Sequence, residues 1–209
     1  MATSITANFG DGNYMVAFDE DDIFTTYTAS GDTVNNWLSL IYRIHRRRLD
    51  RLIVGLDVEW RPSFTRGVPR GPVALLQICV GRRCLVFQIL RADYIPDALH
   101  DFLEDDRFTF VGVGIHGDVG KLRHEYGLEV GSWQDLRYLA AEKLEKPALE
   151  SAGLQTLVWE VMDVWPEKPR HVRVSAWDAP RLTAEQLMYA CADAFMSFEV
   201  GRRLYDDDY

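Results

Sequence analysis

From Thr33 onward, apolar residues return at intervals of three and four, at Val34, Trp37, Leu38, Ile41 and Ile44. That spacing lines one face of an amphipathic helix. The pattern runs into His45-Arg46-Arg47-Arg48, and cations suit the negative C-terminal end of a helix dipole. The same four residues are also a short basic run of the nuclear-import kind. Upstream, residues 14–18 and 23–28 are rich in β-branched and aromatic side chains and flank Asp19-Glu20-Asp21-Asp22, which predicts a hairpin. Residues 1–32 are therefore expected to form an acidic N-terminal extension and residues 33–209 a single domain. Leu52–Trp60, Val73–Val80 and residues 84–89 read as strands, the last two joined across Gly81-Arg82-Arg83. Residues 94–103 read as a helix, 108–113 as a strand, and 119–126 as a helix with Gly127 as its C-terminal cap. Helical patterns follow over 136–146 and 154–161, then a loop over 165–179 rich in proline and basic residues. Thr183-x-x-Gln186 is a capping box that opens a final helix reaching about Leu204. Strands first, then strands mixed with helices, predict an α/β fold with a mixed sheet flanked by helices.

Composition narrows the classes. The 209 residues are 47% hydrophobic, enough for a sizeable core. No apolar run of about 18 residues exists, so no membrane helix is expected. The opening MATSITANFGDGNY has neither a basic flank nor an apolar core, so no secretory signal is expected there. Cys79, Cys84 and Cys191 are odd in number and lack CxxC spacing, which argues against a disulfide scaffold or thiolate zinc site and for a reducing compartment. They read as small core residues. The formal charge of −9 opposes coating of nucleic acid through the overall field but leaves local phosphate binding open.

Three segments carry candidate chemistry. In Leu52–Trp60, a continuously apolar run precedes Asp57-Val58-Glu59. This suits a central strand buried on both faces, and the period of two puts Asp57 and Glu59 on one side. Two adjacent carboxylates repel unless a cation holds them or the strand simply runs out into solvent. In the final helix, Asp193 is the only charged residue between Glu185 and Glu199, within a sequence apolar on nearly every side. A buried carboxylate is expensive unless paired, neutralised or bound to metal. Tyr189 lies one turn before it on the same face. In Gly112-Val113-Gly114-Ile115-His116-Gly117-Asp118, the glycines formally match a dinucleotide fingerprint, but Asp118 stands where a pyrophosphate needs bare amides. Asp118 fits a helix N-cap, a metal ligand, or both. Four acids, Asp57, Glu59, Asp118 and Asp193, suit two hard divalent cations, Mg2+ or Mn2+. Two such ions about 4 Å apart stabilise both oxygens of an in-line displacement at phosphorus. Tyr189 would orient, or take a proton from, the attacking water.

Five ordered stretches are decisive. They are Asp57-Val58-Glu59-Trp60, Val73-Ala74-Leu75-Leu76-Gln77-Ile78-Cys79-Val80, and Gly112-Val113-Gly114-Ile115 with Asp118, Lys121 and Leu122. Ser175-x-Trp177 and Leu182-Thr183-xx-Gln186-xx-Tyr189-Ala190-xx-Asp193-Ala194 complete the set. Residues 52–204 thereby resemble the 3'-5' exonucleases of the DEDD class, tyrosine subtype, in the DnaQ-like branch of the ribonuclease H fold. The likeness is nearest to Werner-type exonuclease domains and their plant relatives. It implies Asp57, Glu59, Asp118 and Asp193 as ligands for two Mg2+ or Mn2+ ions and Tyr189 as the water-positioning residue. It implies release of nucleoside monophosphates from single-stranded nucleic acid with a free 3' end. Similarity to small plant exoribonucleases that associate with Argonaute and clear sliced RNA favours RNA, an Argonaute-type partner and the cytoplasm, with the nucleus as an additional candidate location. The other functional readings are a Werner-like DNA exonuclease in repair, a catalytically silent nucleic-acid-binding scaffold of the same fold, and the dinucleotide oxidoreductase.

Two departures stand out. Werner-type domains can carry a stacking aromatic two residues past the third carboxylate, where this chain has Gly120. The segment before Leu52 lies outside the shared motifs; its β-prone edge leads to the expectation of a homo-oligomer. No helicase segment is present, so a stand-alone exonuclease is expected. Trp60 would floor the site or join the core. Trp177 is expected to pack its loop. Lys121, Lys168, Arg170 and Arg173 would form a basic rim for phosphates or an ordinary solvated surface. His116 and His124 show no metal spacing with the cysteines.

Overall fold

The computed structural model describes residues 3–65, 67 and 69–205. Its eight strands form one mixed sheet in the order β1-β2-β3-β6-β5-β4-β7-β8. The strands are β1 (Ser4–Gly10), β2 (Asn13–Phe18), β3 (Asp21–Thr28), β4 (Leu52–Trp60), β5 (Val73–Val80), β6 (Arg83–Phe87), β7 (Phe108–Gly112) and β8 (Trp133–Asp135). Their helical partners are α1 (Gly31–His45), α2 (Asp97–Glu104), α3 (Ile115–Tyr126), α4 (Leu136–Lys143), α5 (Leu154–Met162), α6 (Arg170–Arg173) and α7 (Ala184–Leu204). β4 lies deep in the sheet, antiparallel to β5 and parallel to β7. It is buried on both faces, as its apolar run requires. One face carries α1, α2 and α3 over a core that includes Trp37, Phe102 and Phe110. The other carries α4, α5 and α7 over a core that includes Trp177, Phe195 and Phe198. This is the α/β mixed sheet flanked by helices that the patterning indicates, in keeping with the ribonuclease H-like fold that the resemblance implies.

The β-prone segments around Asp19 pair antiparallel as β2 and β3. β3 then pairs in parallel with β6, so the N-terminal strands continue the central sheet. Phe18 meets Phe195 of α7 edge-on, with ring centroids 5.9 Å apart, and the Tyr27 hydroxyl accepts a hydrogen bond from the Leu182 amide at 3.0 Å just before α7. A chain beginning at Ser30 is expected to melt well below the full chain. It loses Val16, Phe18 and Ile23 from the core, at about 1.5–3 kcal/mol each, and bares the edge of β6 to other chains. Thermal melts with light scattering test this; an unchanged melting temperature would reduce β1–β3 to an appendage.

Sequence patterning misplaces several boundaries. β1 escapes notice because its alternation is between exposed and half-buried positions at the sheet edge, which leaves no apolar signature. β8 is three residues long, too short for a periodic signal. α2 starts at Asp97 because Pro96 occupies its N-cap. α3 begins at Ile115, four residues before the expected 119, because Gly114 adopts φ +73° and turns the chain directly into the helix. Asp118 is therefore inside the first turn and is not the N-cap. The 165–179 segment is not wholly loop, since it contains α6. All three cysteines are free and buried, and burial raises the Cys84 and Cys191 thiols well above their ordinary range, which keeps them protonated core groups. No helix among the described residues is long and apolar enough to cross a membrane.

Candidate active site

Gly55, Asp57 and Glu59 share the β4 face that α7 covers. A Cβ added at Gly55 would lie 2.2 Å from the Ala194 carbonyl oxygen. Only glycine admits so close a helix, and that approach brings Asp193 over the strand. The Thr183–Gln186 capping box fixes where α7 starts and hence which residues face β4. As a result, one carboxylate oxygen each from Asp57, Glu59 and Asp193 lies within 4.8 Å of the others. Among the described residues these form the only such group of three or more potential metal donors. Asp118 lines the same cleft of about 360 Å³, with Trp60, Arg173 and Tyr189, but stands outside the tight trio.

The electrostatics are those of a cation site. Burial pushes the Asp57 carboxyl well above the usual range, and the charges of Asp193 and Asp118 push it further. Glu59 is raised by burial and then by Asp57. Burial raises Asp118 to about 6 against the opposing pull of Lys121, and it raises Asp193 against Lys168. The donors are all carboxylate oxygens, the set that hard divalent cations take. Four acids face two ammonium groups, so the residues present fit Mg2+ or Mn2+.

The expected basic rim is partly internal. Lys168 Nζ lies 2.6 Å from Asp193 Oδ2, and Lys121 Nζ lies 3.2 Å from Asp118 Oδ1. Lys121 Nζ also sits 3.4 Å from the centre of the Trp60 ring, with Arg70 on that ring at 5.1 Å. Trp60 therefore lines the cleft as a half-buried ring held by two cations. Arg173 reaches the cleft, whereas Arg170 stays exposed at the start of α6. Trp177 is fully buried, 5.8 Å from the Tyr189 ring, and its indole N–H donates to the Arg173 carbonyl; it packs the loop against α7. Tyr189 is buried and lines the cleft beside Asp193, one turn before it on α7. Its phenol is held far above the usual value by burial and then by Asp193, Glu59 and Asp57. At the start of α3 the Gly114 amide already donates to Asp135 at 3.0 Å, which removes a donor that a dinucleotide pyrophosphate would need. His116 rests against Trp133. Sequence reasoning gave no role to two residues: Asp135, whose capping of α4 has no motif, and Gln77, which stands in the shared Val73–Val80 stretch among apolar neighbours.

The pH response of the metal-free protein follows from these shifts. An acid whose folded pKa lies above its unfolded value gains a proton on folding, so its stabilising contribution is full below the unfolded value. It is lost as pH rises through the folded value, for Asp118 between about 3.8 and about 6. In EDTA, the melting temperature is expected to fall across pH 4–7 more steeply for the wild type than for the Asp57→Asn protein. Equal slopes in thermal melts would show that Lys121 and Lys168 already neutralise the cluster.

Comparisons with known proteins point to one family. The model of a 3'-5' exonuclease domain family matches residues 32–206. A 3'-5' exonuclease of Arabidopsis thaliana is 39% identical over 154 residues, covering 73% of this chain and 52% of the relative. The bifunctional 3'-5' exonuclease/ATP-dependent helicase WRN of Mus musculus is 33% identical over 162 residues, 77% of this chain and 11% of that protein. The chain thus spans about half, or much less, of these relatives. The EXD2 exonuclease domain, in crystals soaked in Mn and dGMP, superposes with a TM-score of 0.50 at 26% identity, covering 88% of this chain and 89% of that one. With 175 residues matched to one family model and the acidic cluster assembled where β4 meets α7, the chain belongs to the 3'-5' exonuclease domain family.

Proposed function

We propose that the chain is a metal-dependent 3'-5' exonuclease that releases nucleoside monophosphates from single-stranded nucleic acid, preferentially RNA. The observation that carries this is the convergence of Asp57, Glu59 and Asp193 within 4.8 Å, with Asp118 in the same cleft. These four would hold two divalent cations, which supply charge neutralisation at the scissile phosphate and an activated water. A scaffold without activity would have no use for so strained an acidic set, complete in all four members. Tyr189 keeps its proton, because burial and three carboxylates oppose the phenolate. It therefore acts as a hydrogen-bond donor that orients water or phosphate, and not as the base. Lys121 and Lys168, already paired with Asp118 and Asp193, place positive charge beside the phosphate path. Trp60 offers the aromatic surface in the cleft where Gly120 has none. A duplex end must fray before it enters, at a cost of a few kcal/mol, which favours single strands.

The exonuclease machinery falls within residues 33–209. The RNA preference, an Argonaute-type partner and a cytoplasmic location rest on the likeness to small plant exoribonucleases. The DNA alternative rests on the likeness to Werner-type exonuclease domains. Matched 3'-labelled and 5'-labelled RNA and DNA oligonucleotides, with Mg2+, Mn2+ or EDTA, test the proposal. Stepwise monophosphate release from the 3' end, faster on RNA and abolished by EDTA, is expected. Cutting of a circular single strand overturns the exonuclease reading, and faster DNA turnover overturns the RNA preference.

A further inference from the structure

Gln77 sits in β5 among apolar residues and is fully buried. Neither its side-chain oxygen nor its side-chain nitrogen has a hydrogen-bond partner among the described residues. Leaving both halves of a buried amide unpaired is destabilising, and an apolar side chain of the same length would fill the position without that penalty. The strand register sets Gln77 directly across from Asp57. Directly opposed residues of an antiparallel pair share a face, with Cβ atoms about 4.5–5.5 Å apart. That face is the one against which α7 packs at Gly55, and Gln77's neighbour on its other side is the apolar Val86. Of the two cross-strand neighbours of Gln77, Asp57 is thus the polar one. The Asp57 carboxylate has about four lone-pair sites with which to accept hydrogen bonds.

We infer that Gln77 is a positioning residue for Asp57: its side-chain N–H donates to the ionised Asp57 carboxylate when that carboxylate holds a divalent cation, and so fixes which oxygen faces the cation. The inference rests on the reading of Asp57 as a metal ligand. A rotamer change of the three-torsion glutamine is enough to close the bond at this cross-strand spacing. Ligating carboxylates are characteristically hydrogen-bonded in turn, and losing such a partner typically weakens metal binding 10–100-fold.

The test is calorimetric titration of Mn2+ alone into the wild-type and Gln77→Met proteins, without nucleic acid. Methionine keeps the length and removes the amide. Mn2+ affinity is expected to fall by about 10–100-fold, while the melting temperature in EDTA stays level or rises. On a single-stranded oligonucleotide at fixed Mn2+, kcat is expected to fall with KM held. Equal Mn2+ affinity in the two proteins overturns the inference and leaves the metal reading standing. A wild-type protein that takes up no Mn2+ fells both. Should Gln77→Met fail to fold, the wild-type Gln77 side-chain amide signals decide the matter in a diamagnetic Mg2+ titration. One of the two amide protons is expected to move downfield and exchange more slowly as Mg2+ saturates; two unmoved signals overturn the proposal.

Discussion

Turnover by the Asp57→Asn protein is expected to fall by roughly a thousandfold or more, the scale of losing a principal electrostatic element of the site. Asn keeps the shape of Asp and removes one anionic donor from the centre of the trio. The burial and neighbouring charges that disfavour the Asp57 carboxylate act in the metal-free state, so the same change is expected to raise the melting temperature in EDTA. The two readouts move in opposite directions, which separates loss of chemistry from loss of fold. Single-turnover hydrolysis of a 3'-labelled oligonucleotide, paired with thermal melts, measures both. Full activity in this variant, or wild-type turnover persisting in EDTA, would remove the carboxylates from the mechanism.

The elements that build the site were legible because they have strong patterns. β4 is a continuous apolar run ending in two acids one residue apart, and α7 is apolar on nearly every side with a capping box at its start. Those patterns alone place Asp57 and Glu59 on one face and leave Asp193 buried; that they meet follows from Gly55, whose significance appears only when α7 is seen against it. The ordered motifs extended the reading to Asp118 and to the fold. What stayed hidden depends on contacts between distant segments or on short elements. Lys168 lies 25 residues from Asp193 in a loop, where no periodicity says which way a lysine points. Gln77 reads as an interruption in an apolar strand until the register sets it opposite Asp57. β3 looks like half of an isolated hairpin, and its parallel pairing with β6 is a property of the whole sheet.

Tyr189→Phe is expected to slow turnover by about ten- to ten-thousand-fold, the range of water-orienting and acid–base groups, with little change in Mn2+ affinity or melting temperature. Phe keeps the ring that packs against Trp177 at 5.8 Å, so the substitution removes the hydroxyl and little else. The direction of the phenol's shift decides between its two candidate roles. A general base must lose its proton near the working pH, yet burial and the charges of Asp193, Glu59 and Asp57 hold Tyr189 protonated. Cations bound to those carboxylates would ease the charge component and leave desolvation, the largest cause, in place. As a donor, the hydroxyl contributes equally at every pH where the carboxylates are ionised. The ratio of wild-type to Tyr189→Phe rates is therefore expected to stay constant across pH 6–9. A ratio that grows toward alkaline pH would restore the base, because the wild type would then be gaining phenolate. An unchanged rate would leave Tyr189 as packing between Trp177 and the carboxylates, and the attacking water would have to be oriented by the acids alone.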